Sequence, residues 1–171
     1  SAAEMGKPVM QQTGVDVTTF TTVYTFEAAG IRLTASFTTP TLPDDLEIMS
    51  RPVSYLHVAV CPTDGREHDV QVTVCAADEL CLQPKMQNVA VARTVPLPGT
   101  LRAMCLGGIE QPVLGRSGDD IGIDWGYFYL AVDGGALHEE KSCGHTFLIA
   151  EASLSTAGRT NVLFMFAYDD V

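Results

Sequence analysis

The chain has 171 residues, 46% of them hydrophobic and 18% charged, which suits one globular domain with a sizeable core and excludes an intrinsically disordered chain. A formal net charge of −11 leaves no basic footprint for nucleic acid and disfavours attraction to anionic lipid. The longest apolar run, 162–167, is strand-length and far short of a membrane span, and residues 1–5 lack the charged start and apolar stretch of a signal peptide.

Nearly every segment reads as strand, and no helical period stands out. Residues 17–26 are rich in threonine and aromatics, with Phe20, Tyr24 and Phe26 on one face. Residues 27–30 predict a hairpin into 31–37, where Ile31, Leu33, Ala35 and Phe37 alternate with Arg32, Thr34 and Ser36 as in a half-buried strand. Pro40 and Pro43 then end the ladder, because proline supplies no amide hydrogen. Residues 53–61 are apolar on both faces and predict a central strand. The turn signal Thr63-Asp64-Gly65 leads into 68–75, with Val70, Val72 and Val74 inward, and this pair reads as a hairpin.

Residues 76–82 suit one helical turn or an irregular crossing. Further strands are expected at 87–95, 99–106, 121–132, 146–151 and 161–168, with a turn at Asp133-Gly134-Gly135. Many short strands punctuated by Gly, Pro and Asp predict an all-β fold, an antiparallel β-sandwich forming a single domain over 1–171. The apolar run 162–168 lies only three residues from Val171, so the chain is expected to be a piece of a longer protein.

Candidate chemistry concentrates in two segments. Asp119, Asp120 and Asp124 could serve as paired carboxylates for glycoside hydrolysis or as calcium ligands. A turn whose aspartates bond nearby backbone amides accounts for them more simply. Trp125, Tyr127 and Tyr129 are expected to share one strand face, either as a sugar platform or as sandwich core. Asp44, Asp45 and Arg51 could form a buried ion pair or contact a neighbouring domain.

Nothing marks a catalytic nucleophile: there is no G-x-S-x-G elbow, and His57, His68, His138 and His145 are scattered without metal spacing. Gly107-Gly108 and Gly134-Gly135 read as turn glycines, not a phosphate loop. Five cysteines (Cys61, Cys75, Cys81, Cys105, Cys143) leave at least one unpaired, match no zinc or redox signature and read as buried structural thiols. Cys143-Gly144-His145 offers half a metal site with no second half, so neither metal nor cofactor is expected.

Four segments, in order, carry a resemblance. They are Leu42-Pro43-Asp44-Asp45 before Ser50-Arg51-Pro52-Val53-Ser54-Tyr55-Leu56; Thr63-Asp64-Gly65-Arg66-Glu67-His68-Asp69-Val70; Gln111-Pro112-Val113-Leu114-Gly115-Arg116-Ser117-Gly118-Asp119-Asp120 running into Ile123-Asp124-Trp125-Gly126-Tyr127-Phe128-Tyr129-Leu130; and Ala167-Tyr168-Asp169-Asp170. Together they resemble the N-terminal β-sandwich domain (DUF5127-like) of the glutaminase A family, from about Gln11 onward and most weakly over 76–103.

The resemblance implies a secreted protein in which the sandwich precedes a helical, α/α toroid-like domain, the whole hydrolysing L-glutamine to glutamate and ammonia. It supplies no catalytic residue on the sandwich. It implies a buttressing domain that lends loops to an interdomain cleft, for which Asp44, Asp45, Arg51, Asp119, Asp120, Asp124, Trp125 and Tyr127 are the contact candidates. The competing reading is a carbohydrate-binding or glycoside-hydrolase-associated module. A third is a purely structural interaction domain with an exposed apolar patch.

Overall fold

The structure is a computed structural model describing residues 8–83, 89–115, 117–118 and 124–169. Among these residues eleven strands form two antiparallel sheets: β1 (Gln11–Val17), β2 (Thr21–Ala28), β3 (Ile31–Thr38), β4 (Val53–Pro62), β5 (Asp69–Ala77), β6 (Ala90–Val95), β7 (Leu101–Gly108), β8 (Tyr127–Asp133), β9 (Ala136–Ser142), β10 (His145–Ser155) and β11 (Asn161–Asp169). One sheet has eight strands in the order β1-β2-β3-β4-β11-β8-β7-β6, and the other has three, β5-β10-β9. A single helical turn, α1 (Leu46–Met49), precedes β4, and a 3₁₀ turn at Asp78–Leu80 follows β5. The expected antiparallel all-β sandwich is what forms.

Period-two alternation builds the core. Leu56, Val58 and Val60 of β4 lie beside Phe164 and Val162 of β11, and Leu130 and Val132 of β8 continue the same face. Against them the small sheet lays Leu148, Ala150, Ala152 and Leu154 of β10, flanked by Val70, Val72 and Val74 of β5 and Leu137 of β9. Each large side chain buried in this way contributes about 1.5–3 kcal/mol, so the layer contact dominates stability.

The expected hairpin between 53–61 and 68–75 does not form. β4 pairs with β3 and β11, whereas β5 pairs with β10, so the turn carries the chain from one layer to the other. Both strands point valines at the same core from opposite sides, and six intervening residues (63–68) span the gap that a two-residue turn cannot. Two strands are additional to the sequence reading: β1, where a single strand over 17–26 was expected, and the polar β9. Phe20 sits in the β1–β2 turn, exposed, its carbonyl accepting from the Thr39 N–H at 3.1 Å.

The two ends of the sandwich differ. At one end the connections 29–30, 63–68, 96–100, 134–135 and 156–160 are all short. Polar bonds lace them in sequence. Thr63 N–H donates to the Gly30 carbonyl (2.8 Å), His68 N–H to Thr156 Oγ1 (2.9 Å), and the Arg159 guanidinium to the carbonyls of Gly134 and Asp133, while Thr100 Oγ1 donates to Asp133 Oδ1 (2.6 Å). The other end carries the long connections 39–52, 78–89 and 109–126 with the turns at 18–20 and 143–144.

All five thiols are free, but only Cys81 and Cys105 are buried; Cys61, Cys75 and Cys143 are exposed, against the expectation of buried structural thiols. Cys61 and Cys75 fall on outward strand positions, and Cys143 falls in the β9–β10 turn. Burial pushes the Cys81 thiol up to about 11, with the Asp78 carboxylate adding to the shift. Titration of the native protein with a neutral-pH thiol reagent should therefore show three fast thiols, with the other two reacting only in denaturant. Five equally fast thiols would show that Cys81 and Cys105 are not enclosed.

Candidate functional site

Long connections on a β scaffold are where binding groups are usually presented, and the open end gathers all three. The pairing Val53↔Ala167↔Tyr129 puts the starts of β4 and β8 and the end of β11 side by side. Segments 44–51 and 124–127, far apart in sequence, therefore lie at the same end of the large sheet, with β11 between the strands they lead into.

In the β3–β4 connection, Asp45 caps α1, its Oδ1 accepting from the Ile48 N–H at 3.0 Å, as the sequence Asp-Leu-Glu-Ile favours. Arg51 reaches Glu47 at 2.6 Å, an exposed pair one helical turn apart, and not either aspartate. The buried ion pair considered for Asp44, Asp45 and Arg51 is thus absent, because all three are exposed and the nearer helical partner takes the guanidinium. An exposed pair of this kind contributes a few tenths of a kcal/mol at most.

In the β7–β8 connection, Asp119 and Asp120 lie outside the described residues. Asp124 is buried, at 4% exposure, and Trp125 is half-buried. The Trp125 carbonyl accepts the Tyr168 hydroxyl of β11, fixing the chain just before β8. Gly126 N–H donates to Gln111 Oε1 at 2.6 Å, while Gln111 Nε2 donates to the Gly108 carbonyl at 2.9 Å. One glutamine amide thus ties the end of β7 to the backbone just before β8. Gln111 heads the third segment of the resemblance but is not among the contact candidates, since a lone glutamine carries no chemical motif.

Gly126 is held at φ +86°, and a Cβ there would stand 2.7 Å from the Asp169 carbonyl and 2.8 Å from the Tyr168 ring. That backbone kink falls between Trp125 and β8, so Trp125 stands outside the ladder in which Tyr127 and Tyr129 alternate. The two tyrosines occupy the outer face of the large sheet, opposite Phe128 and Leu130, which point into the core. Tyr127 lies across Gly107, where an added Cβ would meet its ring at 2.5 Å, and the Arg93 guanidinium sits 5.8 Å from the ring centroid. This is cation–π geometry.

The structure adds one cluster that the sequence did not reveal. Asp78, 8% exposed, accepts from His145 Nδ1 at 2.9 Å and from the Thr146 N–H at 2.8 Å. The pair lines a cleft of about 430 Å³ with Leu82, Lys141, Ser142 and Cys143. Among the described residues, no three His, Cys, Asp or Glu side chains converge as metal ligands. The Asp78–His145 bond instead ties the 78–89 crossing to the start of β10. Only tertiary pairing over 67 residues reveals it, so no local signal could have done so.

Two predictions follow from this geometry. Gly126→Ala combines a positive φ with a backbone collision and should cost about 2 kcal/mol or more, lowering Tm by roughly 4–8 °C; an unchanged Tm would show that the loop relaxes freely. The hydrogen bond to Asp78 raises the His145 pKa above its ordinary value. A raised histidine pKa makes its stabilisation complete below about pH 6.5 and lost as pH climbs through the folded value. Comparing wild type with His145→Gln across pH 5–9, the Tm gap should be widest on the acid side and shrink on the alkaline side. A gap independent of pH would assign His145 a packing role only.

Residues 20–165 match the sequence profile of the family described as "Domain of unknown function (DUF5127)". Over 66 residues the chain is 36% identical to "Glutaminase A" of Aspergillus oryzae (strain ATCC 42149 / RIB 40), a match covering 38% of this chain and 10% of that protein. Among solved structures it is similar to "Putative kojibiose phosphorylase from human microbiome", with 8% identity, TM-score 0.47, and coverage of 87% of this chain and 17% of that one. The chain thus spans well under two thirds of either relative.

Proposed function

Since the chain belongs to the DUF5127 family, we propose that it is the non-catalytic β-sandwich module of a longer, glutaminase A-like amide hydrolase. Its role is to support a partner domain of the same polypeptide and lend loops to the cleft between them. The observation that carries this reading is the division of the sandwich into a laced end and an open end. Every described member of the candidate set (Asp44, Asp45, Arg51, Asp124, Trp125 and Tyr127) falls at the open end. The sequence similarity to glutaminase A supports the substrate class, L-glutamine. Export from the cytoplasm belongs to the same proposal, although five free thiols argue the other way.

A second reading rests on the outer face of the large sheet, where Tyr55, Tyr127 and Tyr129 stand half-buried outside the core. Aromatic rings on a sheet face suit stacking against sugar rings, so a glycan platform is the alternative.

The test is ammonia release from L-glutamine by this chain beside the longer natural polypeptide that carries it. Turnover is expected only in the longer protein. Turnover by the 171-residue chain would overturn the non-catalytic role. Turnover by neither, with glycan-dependent quenching of the single tryptophan, would transfer the assignment to sugar binding.

A further inference from the structure

The open end also concentrates exposed apolar side chains. The β3–β4 connection exposes Leu42, Leu46 (68%) and Met49. The β7–β8 connection exposes Ile109, Val113 and Leu114 (78%). At the laced end, among the described residues, only Leu97 is a comparably exposed large hydrophobic residue within a connection. Single exposed hydrophobics are ordinary, but a collection on one end of a domain marks an interaction surface.

Charge surrounds these side chains unevenly. Among the described residues, these connections expose five acidic side chains, Asp44, Asp45, Glu47, Glu79 and Glu110, and one basic one, Arg51. Within the first, the one arginine already pairs with Glu47. Apart from Phe20, the exposed groups are aliphatic, which suits packing against protein and not the flat stacking a sugar requires. The acidic rim opposes nucleic acid and anionic lipid alike.

We infer that the open end of the sandwich is the docking surface for a folded domain of the same polypeptide, whose matching face has an apolar centre and a basic rim. The inference rests on the proposed function and adds to it the location and chemistry of the contact. The relative lengths support this occupant: the segment similar to this chain makes up a tenth of the glutaminase, so most of that protein lies elsewhere. An interface with an apolar centre and a charged margin is the usual anatomy of such contacts, with the charges setting orientation and the apolar groups giving affinity. At the laced end, by contrast, the turns bond to one another.

The experiment is hydroxyl-radical oxidation of this chain and of the longer natural polypeptide, read at Met49, Leu114 and, as control, Leu97. In the longer protein Met49 and Leu114 should oxidise about fivefold more slowly or less, as do residues desolvated at an interface centre, with Leu97 unchanged. The double variant Leu46→Lys, Leu114→Lys should restore Met49 oxidation in the longer protein while leaving the Tm of the isolated chain unchanged, because both side chains are exposed. Equal oxidation of Met49 in both forms overturns the inference. Protection of Met49 that instead rises with concentration of the isolated chain also overturns it, making the occupant a second copy. Glutamine turnover without protection removes the docking and leaves the function; protection without turnover removes the function and leaves the docking.

Discussion

A layer of three strands has to cover a layer of eight. With neighbouring strands about 4.8 Å apart, the large sheet spans roughly 34 Å across its strands and the small one roughly 10 Å. Only a central strip can therefore be sealed, and the fully buried side chains mark it: Leu106, Leu130, Val132, Val162 and Phe164 below, Leu148 and Ala150 above. The overhang made by β1, β2 and β3 must satisfy itself. Tyr24 stacks on Phe26 at 6.4 Å and meets Phe37 edge-on at 6.1 Å, and even so Phe37 remains 45% exposed. A threonine-rich, aromatic β2 suits such a half-covered sheet face better than an aliphatic one would.

Antiparallel pairing then fixes which connections share an end. Each strand reverses the chain, so connections alternate, and the four crossings between layers divide unequally. The crossings at 63–68, 134–135 and 156–160 fall at the laced end, where the Arg159 guanidinium and the His68–Thr156 bonds hold them. The fourth, 78–89, falls at the open end and is twice the length of the longest of these. Its start is anchored by one buried carboxylate accepting from His145 and Thr146. A buried acid bonded twice is affordable where the alternative is a free backbone amide in the same place.

Much of this was legible in the sequence where one face of a strand is buried. The alternation of Ile31, Leu33 and Ala35, and of Val70, Val72 and Val74, placed those side chains on the core face where they lie. Partner choice was not legible. Thr63-Asp64-Gly65 announces a reversal, but a turn does not say whether the chain returns beside itself or crosses to the facing layer. The edge strands β1 and β9 escaped notice because an edge exposed to water needs no apolar alternation: Ala136–Ser142 buries little besides Leu137. Nor could the pattern of aromatics at 125, 127 and 129 reveal that Gly126 takes a positive φ and that the β8 ladder begins only at Tyr127.

The convergence of the candidate segments has the same origin as the core. β4, β11 and β8 are neighbours because their inner faces share the Phe164 row, and that adjacency carries 44–51 and 124–127 to within about two strand spacings of one another. Three of the described polar side chains at this end are committed to the fold. Asp45 is occupied in capping α1, Asp78 in holding the crossing, and Gln111 in closing the β7–β8 loop. A carboxylate committed to backbone amides is poorly placed to shuttle protons, since each transfer would break the contact that positions it. An end built from loop anchors and exposed aliphatic side chains is therefore suited to holding another surface in place.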